Sequence, residues 1–201
     1  FVRIGYKEFT RERSAFNSAM SYMLKRAVTG DGKDVKIDFD RVLVSAGSLM
    51  PVFEGTATQD RDKMYFDWQD NSGMGNAESA DIVMLLVYNK EKETAVYDTE
   101  AALRSDRHAE LSLPNDWEGD EQVAYLSFCS ADGSCVSNSV RLSVSVFEIA
   151  EDEIQEQTGT TEEKHEKMIF IPKREVQIQT VQYSSCSPPH SIHAWKFKPP
   201  L

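Results

Sequence analysis

The sequence predicts a mainly β fold, an antiparallel sandwich of two sheets led in by one short α-helix, and three observations predict it. Apolar residues recur at helical spacing only near the N-terminus. From residue 33 to about 147 the period falls to two. Clusters of Gly, Pro, Asn and Asp punctuate that stretch at the short intervals that separate strands.

The helix is predicted over 14–28, where Phe16, Ala19, Met20, Met23, Leu24 and Ala27 recur at three- and four-residue steps and define one buried stripe. Thr29-Gly30-Asp31-Gly32 stops it. Gly30 suits the left-handed position after a helix end, and Lys25 and Arg26 suit the negative pole of the last turn.

Alternation then begins with Val35, Ile37 and Phe39, and Arg41–Ser45 follows as a second short extended piece. Gly47, Pro51 and Gly55 interrupt the chain before the strand Lys63–Trp68, and Asp70–Asn76 is nearly pure turn chemistry. The run Ile82–Val87 is too apolar for a half-exposed strand and reads as a central one. Asn89–Lys92 is a hairpin-sized link to Glu93–Tyr97, and Ala109–Leu113 is another short strand that stops at Pro114. Val123–Phe128 and Val140–Val146 are the clearest pair, joined through an Asp132-Gly133 turn. Strands at this spacing predict an immunoglobulin- or fibronectin-like sandwich over 33–147, with residues 1–32 as its lead-in. The segment 148–167 is dominated by Glu and Asp and reads as an acidic linker or tail. The stretch 168–201 changes composition again and reads as a separate C-terminal extension.

A chain of 201 residues with 40% hydrophobic content can fill one core with appendages. It opens at Phe1 and runs at once into apolar sequence, so it reads as a fragment or processed product. The formal charge of −11 repels phosphate backbones and anionic membrane surfaces, which disfavours nucleic acid as a partner. No segment reaches the roughly 20 apolar residues that a membrane-spanning helix needs, so no membrane insertion is expected. Cys129, Cys135 and Cys186 make an odd set that gives no disulfide framework and no compartment.

Several motifs also align in order. Ile4-Gly5-Tyr6, Asn17–Tyr22, Val42–Leu49, Trp68–Gly73, Leu113–Asp120 and Phe128–Gly133 together resemble a family of uncharacterised proteins common in Bacteroidota genomes, over roughly residues 1–147. The resemblance implies the sandwich fold and no activity. Members of that family carry a glycine-rich basic segment upstream, which this sequence does not contain, and end near the last strand. The resemblance further implies a Bacteroidota or mobile-element setting, on surfaces or in assemblies such as phage particles.

Candidate sites are few. Cys129 and Cys135 flank the Asp-Gly turn, where a cross-strand disulfide or two free thiols both fit. A zinc site would need two more ligands, and His108 has no partner at metal spacing. Asp60, Asp62, Asp67 and Asp70 surround one strand, but Arg61 and Lys63 interleave them, so solvated strand edges are expected rather than a calcium loop. Trp68 is expected in the core, and Trp117 either covers the open end of the core or joins Tyr65 and Tyr97 in stacking on sugar rings. No nucleophile elbow, phosphate loop or His-Glu-x-x-His motif is present, and His165, His190 and His193 lie beyond the sandwich. The expectation is therefore a non-catalytic structural or protein-interaction module without cofactor or metal, acting through a protein partner or self-association. A carbohydrate-binding module is the alternative.

Overall fold

The structure of the protein, a computed structural model, describes residues 1–31 and 33–146, together with the backbone of 195–196. The acidic segment 148–167, Cys186 and the three C-terminal histidines lie outside the described residues, as does most of 168–201.

Two helices open the chain, α1 (Val2–Gly5) and α2 (Ala15–Arg26). Ser14 caps α2 by accepting a hydrogen bond from the Asn17 amide, the usual service of a hydroxyl at this position. A small ribbon follows, with β1 (Val28–Thr29) antiparallel to β2 (Lys36–Ile37). Gly30 does adopt a left-handed φ of 88°, but inside this ribbon's turn. The helix has already ended at Arg26, with Ala27 as its cap.

Eight strands then build two sheets: β3 (Phe53–Asp60), β4 (Lys63–Gln69), β5 (Ile82–Asn89), β6 (Thr94–Leu103), β7 (His108–Ser112), β8 (Gln122–Cys129), β9 (Val140–Leu142) and β10 (Val144–Val146). One sheet has the order β10-β3-β4-β7. The other runs β6-β5-β8-β9, with β11 (Trp195–Lys196) added antiparallel on the β6 edge. Among the described strands every pairing is antiparallel except that of β10 with β3, and the isolated bridge between Leu49 and Ser137 is also parallel. Ala57, Met64, Phe66 and Trp68 from the first sheet and Val83, Leu85, Val87, Leu126 and Phe128 from the second fill one hydrophobic core. Each fully buried Val, Leu, Phe or Met among them contributes roughly 1.5–3 kcal/mol.

The apolar run in β5 occupies the central position predicted for it, paired with β6 on one side and β8 on the other. The whole of β8 is buried. Both faces of these strands are covered, because the N-terminal segment packs on the side of the sheet away from the core. Ala27, Val42 and Val44 join Leu86, Val123 and Tyr125 there, with Met23 and Phe39 against them. Phe1 and Ile4 cover Met84 and Cys129 nearby.

Hydrogen bonds fix this layer. The Ala46 amide donates to Gly5 O at 2.8 Å, Tyr6 Oη to Leu43 O at 2.8 Å, and Tyr125 Oη to Phe39 O at 2.9 Å. The Val44 amide donates to Ser139 Oγ at 2.9 Å. Glu8 accepts from two other segments at once, from the Val136 amide at 2.8 Å and the Ser48 amide at 3.2 Å. Gly47 lies so close to this carboxylate that an added Cβ would sit 2.2 Å from Glu8 Oε1 and 2.3 Å from Val136 O.

Several elements differ from expectation. Phe16 and Leu24 do not belong to the buried stripe: they are 58% and 61% exposed, and the helix packs through Ala15 and Ala19 instead. Small residues let α2 approach its neighbours closely, with Tyr22 and Met23 packed beside them and Phe16 and Leu24 on the outer side. The segment Val140–Val146 divides at Ser143, with β9 staying in one sheet and β10 crossing to the other. Strand β3 has no counterpart in the sequence reading, since its inward positions are Ala57 and Gln59. Strand β6 continues past Tyr97 to Leu103 through an irregularity opposite Val83–Leu85.

Candidate functional site

Cys129 and Cys135 both carry free thiols, the first buried and the second half-buried. The local register explains their separation: Cys129 bridges to Val136, so Cys135 stands one residue out of register from it. Burial pushes the Cys129 thiol up from its ordinary value. The turn between them is held by Asp132, which accepts from the Ser134 amide at 2.9 Å and from Ser130 Oγ at 2.7 Å. These bonds, the Ser134 amide first, pull the Asp132 carboxyl down to about 2.

The four aspartates do not converge. Asp60 and Asp62 lie at the β3–β4 hairpin and Asp70 beyond the far end of β4, roughly 25 Å away along an extended strand. Asp67 pairs with His108 at 2.8 Å, and Asp70 accepts from the Ser72 amide and hydroxyl. Among the described residues, no group of three or more His, Cys, Asp and Glu is placed to hold a metal ion.

The aromatic residues are also dispersed. Trp117 is 3% exposed and Trp68 4%, and both belong to the core between the sheets. Trp68 Nε1 donates to Arg104 O at 2.8 Å. Tyr65 stacks on His108 with ring centroids 5.9 Å apart. Tyr97 lies edge-on to Phe1 in the N-terminal layer, on the other sheet. Burial in the core leaves the Trp117 ring no face to offer a sugar.

The most concentrated polar chemistry surrounds Arg104, which the sequence reading did not single out. Its side chain is fully buried, with Nε donating to Asp81 Oδ2 at 3.0 Å and Nη2 to Met50 O at 2.9 Å. Nη1 donates to Asn71 Oδ1, and the guanidinium carbon lies 3.6 Å from the centre of the Phe128 ring. Burial lowers the affinity of Arg104 for its proton, and Asp81 opposes that effect. Asp81 Oδ2 also accepts from the Glu78 amide, whereas Oδ1 has no hydrogen-bond partner among the described residues. Every guanidinium contact is internal, so the cluster ties the β6–β7 turn to the loops at residues 50, 71 and 81. It has no open approach for a ligand.

The open surface lies on α2. Arg13, Asn17, Met20, Ser21, Leu24 and Lys25 line a shallow groove of about 510 Å³. A second one of about 590 Å³ continues from Lys25 past Arg26 to Asp40 and Arg41. Phe16 is exposed beside Met20, so the helix presents apolar side chains at i, i+4 and i+8 between cationic ends. No helix among the described residues is long and apolar enough to cross a membrane.

The fold and its surface thus define a mainly β module with a covered sheet and an exposed, basic helix. Residues 1–143 match a family of unknown function (DUF6266), and the chain belongs to that family. No curated protein matches the sequence, and no solved structure does.

Proposed function

We propose that this chain is a non-catalytic structural or protein-interaction module. The observation that carries the reading is that, among the described residues, five of the nine exposed large apolar side chains, Phe9, Phe16, Leu24, Val35 and Ile37, fall within the first 37 residues. Where exposed apolar side chains adjoin, as Met20 and Leu24 do along α2, they mark a contact site. The chemistry elsewhere agrees. Tyr6 and Tyr125, whose phenols burial pushes well up, donate to backbone carbonyls, and Asp132 organises a turn. Each of these shifted groups has a structural task that accounts for its environment.

The sheet order supports an immunoglobulin- or fibronectin-like sandwich as the architecture. Strands β3, β4 and β7 form one sheet, β6, β5, β8 and β9 the other, and the chain returns through β10 to lie beside β3. We assign the module to a Bacteroidota or mobile-element protein on the strength of the ordered motifs alone. The carbohydrate-binding alternative keeps one supporting observation, the Tyr65–His108 stack on the four-stranded sheet.

Light scattering across a concentration series, together with a glycan array, tests the reading. A mass that rises with concentration and an array without hits are expected. A concentration-independent monomer that binds a defined glycan would replace this reading with the alternative.

A further inference from the structure

We propose that the exposed face of α2 is a docking groove for an acidic amphipathic helix of a partner protein, an inference that rests on the interaction reading above and names its partner chemistry. Three features of the helix carry it.

The first is shape. Phe16, Met20 and Leu24 stand at i, i+4 and i+8 on a helix about 18 Å long. That is the spacing that an opposing helix meets with its own apolar stripe. The concavity beside them follows the helix from Arg13 to Lys25. A partner segment of about three turns spans it.

The second is charge. Residues 1–30 hold six Lys and Arg against Glu8 and Glu12 in a chain whose net charge is −11, and no acidic side chain lines the groove from Arg13 to Lys25, although Asp40 lines its continuation. Glu8 is already engaged by two backbone amides. Arg11, Arg13, Lys25 and Arg26 form no ion pair among the described residues. The apolar stripe is therefore bracketed by unpaired cations at both ends, and the complementary surface is apolar along its centre with carboxylates at its ends.

The third is what this arrangement disfavours. In a symmetric pairing of α2 with α2 of a second copy, run either way, Arg13 meets Arg13 or Lys25 and the cationic ends repel. An anionic bilayer would attract the helix but must accept the whole negatively charged body near its surface. Three apolar side chains also give a short membrane-facing stripe compared with interfacial helices. An acidic helix meets neither obstacle.

The test uses the whole chain and a labelled 14-residue helical peptide carrying leucines at i, i+4, i+7 and i+11 and glutamates at most other positions. Controls are a scrambled peptide of the same composition, a lysine-for-glutamate version, and vesicles of phosphatidylglycerol and phosphatidylcholine. The acidic peptide should bind saturably, perturb amide resonances of α2, and weaken at least tenfold between 50 and 500 mM salt. Leu24→Asp and Lys25→Glu change exposed side chains, so both variants should keep the parent circular dichroism while weakening binding at least tenfold. Equal binding of the scrambled peptide, undiminished binding by Leu24→Asp, or binding to vesicles alone would overturn the proposal. If the peptide fails while the parent chain still self-associates in light scattering, this groove assignment falls and the broader interaction reading stands.

Discussion

Replacing Arg104 with methionine probes the internal ion pair that ties three loops to the end of the sheets. Methionine keeps much of the aliphatic volume, so little cavity is left and the loss is mainly electrostatic. Without the guanidinium, the Asp81 carboxylate, 1% exposed on its side chain, keeps only the Glu78 amide as a donor. Asn71 Oδ1 and Met50 O lose their donors as well. Breaking a buried pair from one side costs about 3–5 kcal/mol, a large part of the roughly 5–15 kcal/mol that holds a domain folded. With an urea m-value of about 2 kcal/mol/M, the unfolding midpoint of Arg104→Met should fall by roughly 2 M. The double variant Arg104→Met/Asp81→Leu removes both charges and should recover most of that loss, because the penalty comes from stranding one partner. Urea denaturation followed by tryptophan fluorescence reads both. A midpoint for Arg104→Met within about 0.3 M of the parent would refute the reasoning, and so would a double variant as weak as the single one.

Three further outcomes follow from other parts of the molecule. The Asp132 carboxyl should titrate near 2 by carbon NMR; because its folded value lies below its unfolded one, its stabilising contribution is present above the ordinary aspartate range and is lost as pH falls toward 2, and an ordinary aspartate midpoint would contradict the turn geometry. In a Cys186→Ser background, a maleimide should label half-buried Cys135 well before buried Cys129, with equal rates counting against the assigned burial. Glu8→Ala removes a charged acceptor shared by two amides and should cost about 1–3 kcal/mol while speeding hydrogen exchange at Ser48 and Val136; unchanged exchange there would mean that the N-terminal layer is held by other contacts.

The parts of the fold that were legible in the sequence are those where burial is continuous or strictly alternating. Ile82–Val87 announces a central strand because both of its faces are covered, Val123–Phe128 falls within β8, and Ala109–Leu113 overlaps β7 up to Ser112. Strand β3 escaped because a sheet position next to β10 asks little of its side chains: Thr56 and Thr58 face outward, and only Ala57 and Gln59 turn in deeply. The helix was legible in extent but not in orientation. Periodicity marks a stripe from Phe16 to Ala27, of which Ala19, Met23 and Ala27 do pack inward, but it cannot tell that Phe16 and Leu24 lie on the exposed side of it. Arg104 was invisible for a related reason, since Leu103-Arg104-Ser105-Asp106 has the composition of a solvated turn. Its partners Asp81, Asn71 and Met50 are far away in sequence, and only tertiary structure brings them together.

The parallel pairing of β10 with β3 has a mechanical consequence. Val144, Ser145 and Val146 run in the same direction as Ala57, Thr58 and Gln59, and Thr58 Oγ1 lies 3.1 Å from Ser145 Oγ across the pair. Tension applied where the chain enters β3 and where it leaves β10 therefore drags the two strands past each other lengthwise. Their hydrogen bonds share that pull together instead of opening in sequence like a zip. β10 thus closes on β3, the first strand of the two-sheet body, as a clasp loaded in shear.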